Sequence, residues 1–273
     1  MIVRRLRGIL MLLIALVLPF GVDASDVLDR ARERGHLIAA AMPDALPQSG
    51  RDEAGNLTGF DIAVTKAVAR QLGLDVTFVI PSWQAILEGG WSGAWDYAVV
   101  SMTPTPEREK RLTFPAVYRF SPAVLVVRED NQSIKEPSDA SGAVIGVKED
   151  TTFQHYLKRD LVLYKGDRSF EYLIENPTIR LFPDKQDAML ALAEGTAGLD
   201  AVVTSLTHAQ GAVGAGLPVR VVPGFLFFEP LAVVIDHGEP TFGEEIDAAV
   251  DALRANGTLG ELSIEWFGID LTE

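Results

Sequence analysis

The residues of this chain best suited to chemistry follow a short apolar run and lie in the segment WDYAVVSMTPTPER, residues 95–108. The paired valines are typical of a buried strand, and we expect Thr105 to cap a helix that has Pro106 as its first residue. A helix start offers free N–H groups, and the fork of Arg108 can hold both oxygens of a carboxylate. The segment therefore predicts capture of a small carboxylate. A capped surface helix with a solvated arginine is the alternative that the local pattern leaves open.

The same segment resembles the carboxylate-binding motif of the family 3 solute-binding proteins, the periplasmic amino-acid receptors of ABC transporters. In that family an apolar strand leads to a small residue, to Met-Thr-x-Thr-x-Glu-Arg and then to Phe-x-x-x-Tyr. Here Ser101 precedes MTPTPER, and Phe114 and Tyr118 complete the pattern. The resemblance covers nearly the whole mature chain, because it extends to GNLTGFD at 55–61, NGTL at 256–259 and WFG at 266–268.

The first residues predict export from the cytoplasm. Three arginines precede an apolar run over residues 9–20, and Val-Asp-Ala follows up to Ala24, as in a cleaved secretory signal. The run is short for a membrane span. Cleavage after Ala24 would remove three Arg and one Asp and change the formal net charge from −14 to −16. We therefore expect a freely diffusing protein of the periplasm.

Composition argues against several classes of function. A strongly acidic chain repels nucleic acid and anionic lipid. The absence of cysteine excludes disulfides and a lipid-bearing cysteine anchor. The four histidines show no metal-ligand spacing, and the sequence has neither a nucleophile elbow nor a phosphate loop. We expect no catalytic residue, metal or cofactor. The expected partner is a small carboxylated solute, to which the resemblance adds an ABC permease of the inner membrane, and we expect a monomer.

Apolar periodicity predicts strands that alternate with helices, the pattern of an α/β fold. We expect helices at 27–34, 60–72, 83–87, 153–157, 185–194 and 244–255. We expect strands at 37–41, 76–80, 99–100, 123–127, 144–147, 200–203 and 231–235. The glycine-rich stretch 211–216 is typical of a loop.

A polar stretch at 128–142 and a second long apolar run at 231–235 suggest two units joined by two crossings of the chain. The resemblance implies a two-lobed periplasmic binding protein fold of type II, in which two crossover hinge strands let the lobes close over a ligand. The predicted organisation is a signal peptide at 1–24, the first part of lobe 1 at 25–127, lobe 2 at 128–225 and the return segment of lobe 1 at 226–273.

The resemblance also assigns ligand-binding roles in lobe 1, residue by residue. Arg108 would hold the ligand carboxylate, Thr103 would add its hydroxyl and N–H, and the Ser101 carbonyl would face the ligand amine. Trp83 falls where many members place an aromatic ring against the ligand side chain. A core position for Trp83 fits the sequence equally well.

Two departures from the family pattern concern the walls of the pocket. Asp150 stands before Thr151 and Thr152, where the family has glycine. The two threonines can still offer hydroxyls and N–H groups from lobe 2, but the aspartate would disfavour a second anionic group on the ligand unless its side chain points away. Leu-Pro-Gln-Ser at 46–49 replaces the usual aromatic pair, so one wall should be more polar.

A third departure concerns the ligand amine. Ser205 stands where receptors of this class have an aspartate for the ligand ammonium. A buried ammonium without an anion is costly, so either another acid supplies the charge or the ligand has no such amine. Glu229 is a candidate replacement, although the sequence alone favours a solvated hinge residue. Trp91 and Trp95 are assigned to packing rather than to the site.

An enzyme of the same fold is the alternative function. The resemblance includes cyclohexadienyl dehydratases, which eliminate water and carbon dioxide from carboxylated rings held at the same arginine position. Such a reaction needs a general acid in the cleft, and His155, Glu149 or Asp150 would have to serve. The missing partner for a ligand amine keeps this alternative open.

Overall fold

The computed structural model of the protein describes residues 27–43, 46–163 and 170–273, so the predicted signal peptide lies outside the described residues. The helices are α1 Val27–Arg34, α2 Phe60–Gln71, α3 Trp83–Glu88, α4 Thr152–Lys158, α5 Lys185–Ala193, α6 Leu206–Gly214, α7 Pro240–Ala255 and α8 Thr258–Phe267. The strands are β1 His36–Ala40, β2 Gly50–Arg51, β3 Leu57–Thr58, β4 Asp75–Val79, β5 Tyr97–Met102, β6 Leu112–Thr113, β7 Val117–Arg128, β8 Val144–Lys148, β9 Thr178–Phe182, β10 Ala201–Ser205, β11 Val219–Val221 and β12 Phe227–Asp236.

One curled, mixed sheet forms the centre of the molecule. Its strand order is β4-β1-β5-β12-β7-β10-β8-β9, with β11 paired to β7 and β6 paired to β12. The outer strands are parallel to their neighbours, as in β4-β1-β5 and β10-β8-β9, whereas β12 and β7 run antiparallel to the strands beside them. Parallel neighbours require crossover connections, here helical, which confirms the predicted α/β class.

The two longest strands connect the two halves of this sheet. Strand β7 pairs with β12 through residues 117–123 and with β10 through residues 123–127. Two core clusters drawn from 27–118 and 231–259 pack around β4-β1-β5, and two others drawn from 123–227 pack around β10-β8-β9. We call these halves lobe 1 and lobe 2. The predicted boundaries near 127 and 225 stay predictions that this division of the core supports.

The glycine-rich stretch at 211–216 was predicted as a loop, and that prediction is wrong, because α6 continues to Gly214. Ser205 caps this helix by accepting the N–H of His208 at 3.3 Å. Leu206 and Ala209 are buried on its inner face. This burial and the cap offset the roughly 1 kcal/mol that each helical glycine costs.

The helix predicted to begin at Pro106 is replaced by a three-residue 3₁₀ turn over Arg108–Lys110. Residues 106–111 read PEREKR, so a helix here would have no apolar face to bury. Thr105 still accepts the N–H of Arg108 through its side-chain oxygen at 3.3 Å. Arg108 is therefore positioned by a capped turn and not by the start of an α-helix.

The turn before α2 depends on Gly59, which has a φ of 118°. A Cβ at this position would lie 2.6 Å from the Gln48 carbonyl oxygen, which accepts the N–H of Asp61 at 2.9 Å. We expect Gly59→Ala to lower the free energy of unfolding by about 2–4 kcal/mol, because backbone strain adds to the clash. Denaturant unfolding measures this loss. Gly55→Ala is the control, since Gly55 has a φ of 86° with open space around it, and equal losses in both variants would contradict the clash.

Candidate functional site

A cavity of about 360 Å³ lies between the lobes, beside the crossing strands. All eight residues predicted to bind the ligand line it: Arg108, Thr103, Ser101, Trp83, Thr151, Thr152, Ser205 and Glu229. Gln48 and Ser49 from the predicted polar wall line it as well. The volume suits a small-molecule ligand. The structure thus brings the predicted residues together, whereas their roles in binding stay predictions.

Arg108 reaches the cavity from the turn that follows β5. Its Nη1 donates to the Thr103 carbonyl oxygen at 2.7 Å, and its guanidinium carbon lies 5.6 Å from the centroid of the Trp83 ring. Burial lowers the pKa of Arg108, while the carboxylate of Glu229 opposes this shift. An arginine keeps its charge despite such a shift, so the site presents a desolvated cation with donors to spare.

Glu229 is only 8% exposed, which contradicts the sequence-based preference for a solvated hinge residue. It lies in β12, a strand buried on both faces, and its side chain borders the cavity between the lobes. The hydroxyls of Thr103 at 3.2 Å and of Thr152 donate to the same carboxylate oxygen. Burial raises the pKa of Glu229, although these hydroxyls and the nearby guanidinium groups act in the opposite direction. One buried carboxylate thus connects the two lobes.

Asp61 is a second buried carboxylate of the cavity, which sequence reasoning missed as a site residue. It accepts from the hydroxyl of Ser101 at 2.7 Å and from the hydroxyl of Tyr118 at 2.9 Å. Burial raises its pKa, and Arg119 opposes that shift. The signal that could have identified Asp61 is its place at the end of the GNLTGFD segment, just inside α2.

Arg119 was also missed as a site residue, although it stands between two aromatic residues near the start of β7. It is 1% exposed and lines the cavity. Its Nη2 donates to the Ser101 hydroxyl at 2.8 Å. Its guanidinium carbon lies 5.6 Å from the Phe60 ring centroid and 5.0 Å from that of Phe267. The signal that could have identified Arg119 is its charge within a stretch of mostly apolar residues.

The lobe 2 wall differs from the prediction at Asp150. Asp150 has a φ of 56° and an exposed side chain, and it does not line the cavity. The repulsion of a second anionic group was expected unless this side chain points away, and the left-handed turn directs it to solvent. Lys148 lines the wall instead, and Thr151 caps α4 by accepting the N–H of Gln154 at 3.4 Å.

Ser205 and Thr207 form the part of the wall where an aspartate was expected. Their hydroxyls lie 3.3 Å apart, and Thr207 accepts a hydrogen bond from Gln48 Nε2 at 2.5 Å. That bond crosses from lobe 1 to lobe 2. The packing role predicted for Trp91 and Trp95 agrees with their ring contact at 5.1 Å, and neither lines the cavity.

The acids named for the alternative enzyme do not reach this cavity. His155 is exposed and contacts Asp160 at 2.9 Å, and Glu149 and Asp150 are exposed as well. Within the described ranges, no group of three or more His, Cys, Asp or Glu side chains is arranged to hold a metal ion. The carboxyls that the cavity does contain are Asp61 and Glu229.

Residues 37–269 match the sequence profile of the bacterial extracellular solute-binding proteins, family 3. The chain belongs to this family. It is 27% identical over 254 residues to a probable amino-acid ABC transporter-binding protein of Haemophilus influenzae, with 92% of this chain and 91% of that one covered. It is 24% identical over 274 residues to the L-cystine-binding protein TcyJ of Escherichia coli (strain K12), with coverage of 98% and 97%.

Among solved structures, an ancestral amino-acid-binding protein, AncCDT-1, described as a precursor of cyclohexadienyl dehydratase, superposes with a TM-score of 0.70 at 30% identity. The match covers 89% of this chain and 100% of that one. The predicted two-lobed type II fold is thereby confirmed. Membership of the family assigns this protein a general role in solute binding. In the part of the chain that the structure describes, no helix has the length and apolar character to cross a membrane.

Proposed function

We propose that this family 3 protein is the periplasmic substrate-binding component of an ABC transporter and captures an amino acid between its lobes. The observation that carries the proposal is the convergence of donors from both lobes. Thr103 from lobe 1 and Thr152 from lobe 2 both donate to Glu229, and Arg108 lines the cavity beside them. A guanidinium in a desolvated cavity is suited to hold a ligand carboxylate by paired, charge-assisted hydrogen bonds.

Glu229 takes the part of the missing aspartate in this proposal. Its carboxylate lies between the threonine hydroxyls, where it can accept the ammonium of a ligand whose carboxylate binds Arg108. An ammonium would lower the pKa of Glu229 and compensate for its burial. The solute would therefore have an amine, and Ser205 would contribute a hydroxyl and not a charge.

Closure of the lobes would follow from contacts that the ligand makes with both of them. Gln48 and Thr207 already bond from one lobe to the other, and Glu229 contacts both lobes. A ligand that bonds both lobes favours the closed form by its differential affinity, and a permease that recognises this form would accept the solute. The protein would act as a monomer after cleavage following Ala24.

A ligand panel tests the proposal by thermal unfolding of protein freed of bound solute by unfolding and refolding. The panel holds acidic, neutral and cationic amino acids, the matched acids without an amine, and prephenate. Saturation at about 100 times the dissociation constant should raise the midpoint by about 5–10 °C. At least one amino acid is expected to do so, and its amine-free analogue should have a smaller effect. Failure of every carboxylated solute would contradict the proposal.

A second candidate function is supported by the two carboxyls that line the cavity, Asp61 and Glu229, because a carboxyl in the cleft can serve as a general acid, and burial raises the pKa of each. A dehydratase would consume prephenate and form an aromatic acid, which ultraviolet absorbance detects. The receptor proposal predicts no turnover above the rate without protein. Turnover that is lost in Glu229→Gln would establish the enzyme instead.

A further inference from the structure

Ser101 has an unusual backbone conformation for a residue near the end of a strand. Its φ is 52°, in the left-handed region that residues other than glycine rarely adopt. Strand β5 bulges here, because it runs from Ala98 to Met102 between two of its pairs with β12, whereas β12 runs only from Val234 to Ala232. The pairing of β5 with β1 ends at Ala98, so neither register includes Ser101. Such a conformation is costly and persists only where its surroundings enforce it.

A ring of three hydrogen bonds holds Ser101 in this conformation. The N–H of Ser101 donates to the Tyr118 hydroxyl at 3.0 Å. That hydroxyl donates to one carboxylate oxygen of Asp61 at 2.9 Å, and the Ser101 hydroxyl donates to the other at 2.7 Å. Tyr118 and Asp61 are both buried. Because the ring begins and ends at Ser101, it fixes the backbone N–H and the side chain of this residue together.

We infer that Tyr118 and Asp61 are positioning residues of the ligand site, which hold Ser101 in its left-handed conformation so that its carbonyl oxygen accepts the ligand ammonium beside Glu229. This inference rests on the proposed function, which supplies a ligand with an amine. Tyr118 does not line the cavity. Any effect of its hydroxyl on binding must therefore act through the residues that it contacts.

The backbone of Ser101 is the part of this residue that is left for a ligand. Its hydroxyl is already used, since it donates to Asp61 and accepts from Nη2 of Arg119 at 2.8 Å. Ser101 nevertheless lines the cavity, and a carbonyl oxygen is an acceptor suited to an ammonium. Arg119 also acts electrostatically on Glu229, so Ser101 and Glu229 lie near a common group.

A purely structural role is the competing explanation for the Tyr118 hydroxyl. The Tyr118 ring belongs to the core of lobe 1 and stacks on Phe60, with 6.0 Å between the ring centroids. On this explanation, loss of the hydroxyl lowers stability without any preference between ligands with and without an amine. The two explanations therefore differ in one measurable quantity, the ratio of affinities for an amino acid and for the same acid without its amine.

Calorimetric titration with L-alanine, L-glutamine, L-glutamate and L-arginine selects the amino acid that binds most tightly, and its amine-free acid is titrated beside it. In Tyr118→Phe we expect affinity for the amino acid to fall about 10- to 30-fold, and affinity for the amine-free acid to change by less than about threefold. Tyr97→Phe is the matched control. Tyr97 is buried in the same lobe, its hydroxyl donates to the Thr65 carbonyl at 2.9 Å, and it does not line the cavity. This variant should lose stability and alter neither affinity.

Substitutions of Ser101 test the backbone conformation itself. Glycine adopts a positive φ readily and alanine does not, whereas both lack the hydroxyl. We expect Ser101→Gly to bind the amino acid at least about fivefold more tightly than Ser101→Ala. In the Ser101→Gly background, Tyr118→Phe should reduce affinity by less than about threefold, because a glycine needs less support in this conformation.

Equal losses for the amino acid and its amine-free acid in Tyr118→Phe would assign a structural role and overturn the inference, as would unchanged affinity for both. If Tyr118→Phe does not fold, the two Ser101 variants decide. Tighter binding by Ser101→Gly supports the inference, and equal or tighter binding by Ser101→Ala overturns it. These results leave the proposed function intact, whereas a wild-type protein that binds none of the carboxylated probes would remove the proposed function itself.

Discussion

Arg108→Ala is expected to reduce affinity for the amino-acid ligand by about 100- to 1,000-fold, the largest effect of any single substitution in this protein. The guanidinium offers paired, charge-assisted hydrogen bonds in a desolvated cavity, and losing such a partner costs about 3–4 kcal/mol. The variant should still fold, with a free energy of unfolding lowered by about 1–3 kcal/mol, because the buried Glu229 loses one of its two nearby guanidinium groups. Calorimetric titration and thermal unfolding measure the two quantities.

Two further variants separate charge from geometry at this position. Arg108→Lys keeps the positive charge but loses the planar fork, so we expect an intermediate loss of about tenfold. Arg111→Ala is the matched control, since Arg111 lies three residues further along, is exposed and does not line the cavity. Unchanged affinity in Arg108→Ala, or an equal loss in Arg111→Ala, would contradict the assignment of the carboxylate site.

Glu229→Gln is expected to weaken binding of the amino acid by about 30- to 100-fold while making the empty protein more stable at neutral pH. The binding loss follows because an amide cannot compensate the ligand ammonium. Affinity for the matched acid without an amine should stay the same or rise. Glu149→Gln is the control, because Glu149 is exposed and does not line the cavity.

The stability effect of Glu229→Gln has a defined pH dependence. Burial raises the pKa of Glu229 above its ordinary value of 4.5, so the folded chain binds this proton more tightly than the unfolded chain. The contribution of Glu229 to the free energy of unfolding is thus fully present below pH 4.5 and is lost as the pH rises through the folded-state pKa. The variant should gain over the wild type only above about pH 4.5. A gain that is independent of pH would contradict the buried, ionised carboxylate.

The lobe 1 site was predictable from sequence because its information is local. Ser101, Thr103 and Arg108 lie within eight residues, and a strand followed by a turn fixes their relation whatever the rest of the chain does. The prediction of a helix from Pro106 was wrong. Arg108 still has a defined position, because the Thr105 cap holds it in a short turn. Local bonds, and not the type of helix, therefore set this part of the site.

The roles of three other cavity residues were harder to predict, because these roles depend on burial by segments that are distant in sequence. The three residues are Asp61, Arg119 and Glu229. Glu229 adjoins a proline in the second crossing strand and suggests an exposed hinge, yet β7 and β5 flank its strand on both sides. Arg119 acts electrostatically on Asp61, which lies at the start of a helix nearly sixty residues earlier in the chain. The sequence left the direction of the Asp150 side chain open, because that direction depends on a single left-handed backbone conformation that turns the side chain away from the cavity.

The most direct test of the account is a crystal structure of the protein with the amino acid that raises its unfolding midpoint most. The account predicts that the α-carboxylate lies within hydrogen-bonding distance of the Arg108 guanidinium and the ammonium within hydrogen-bonding distance of Glu229, with both lobes in contact with the ligand. A ligand bound outside this cavity, or a carboxylate held by other groups while Arg108 stays unoccupied, would contradict it.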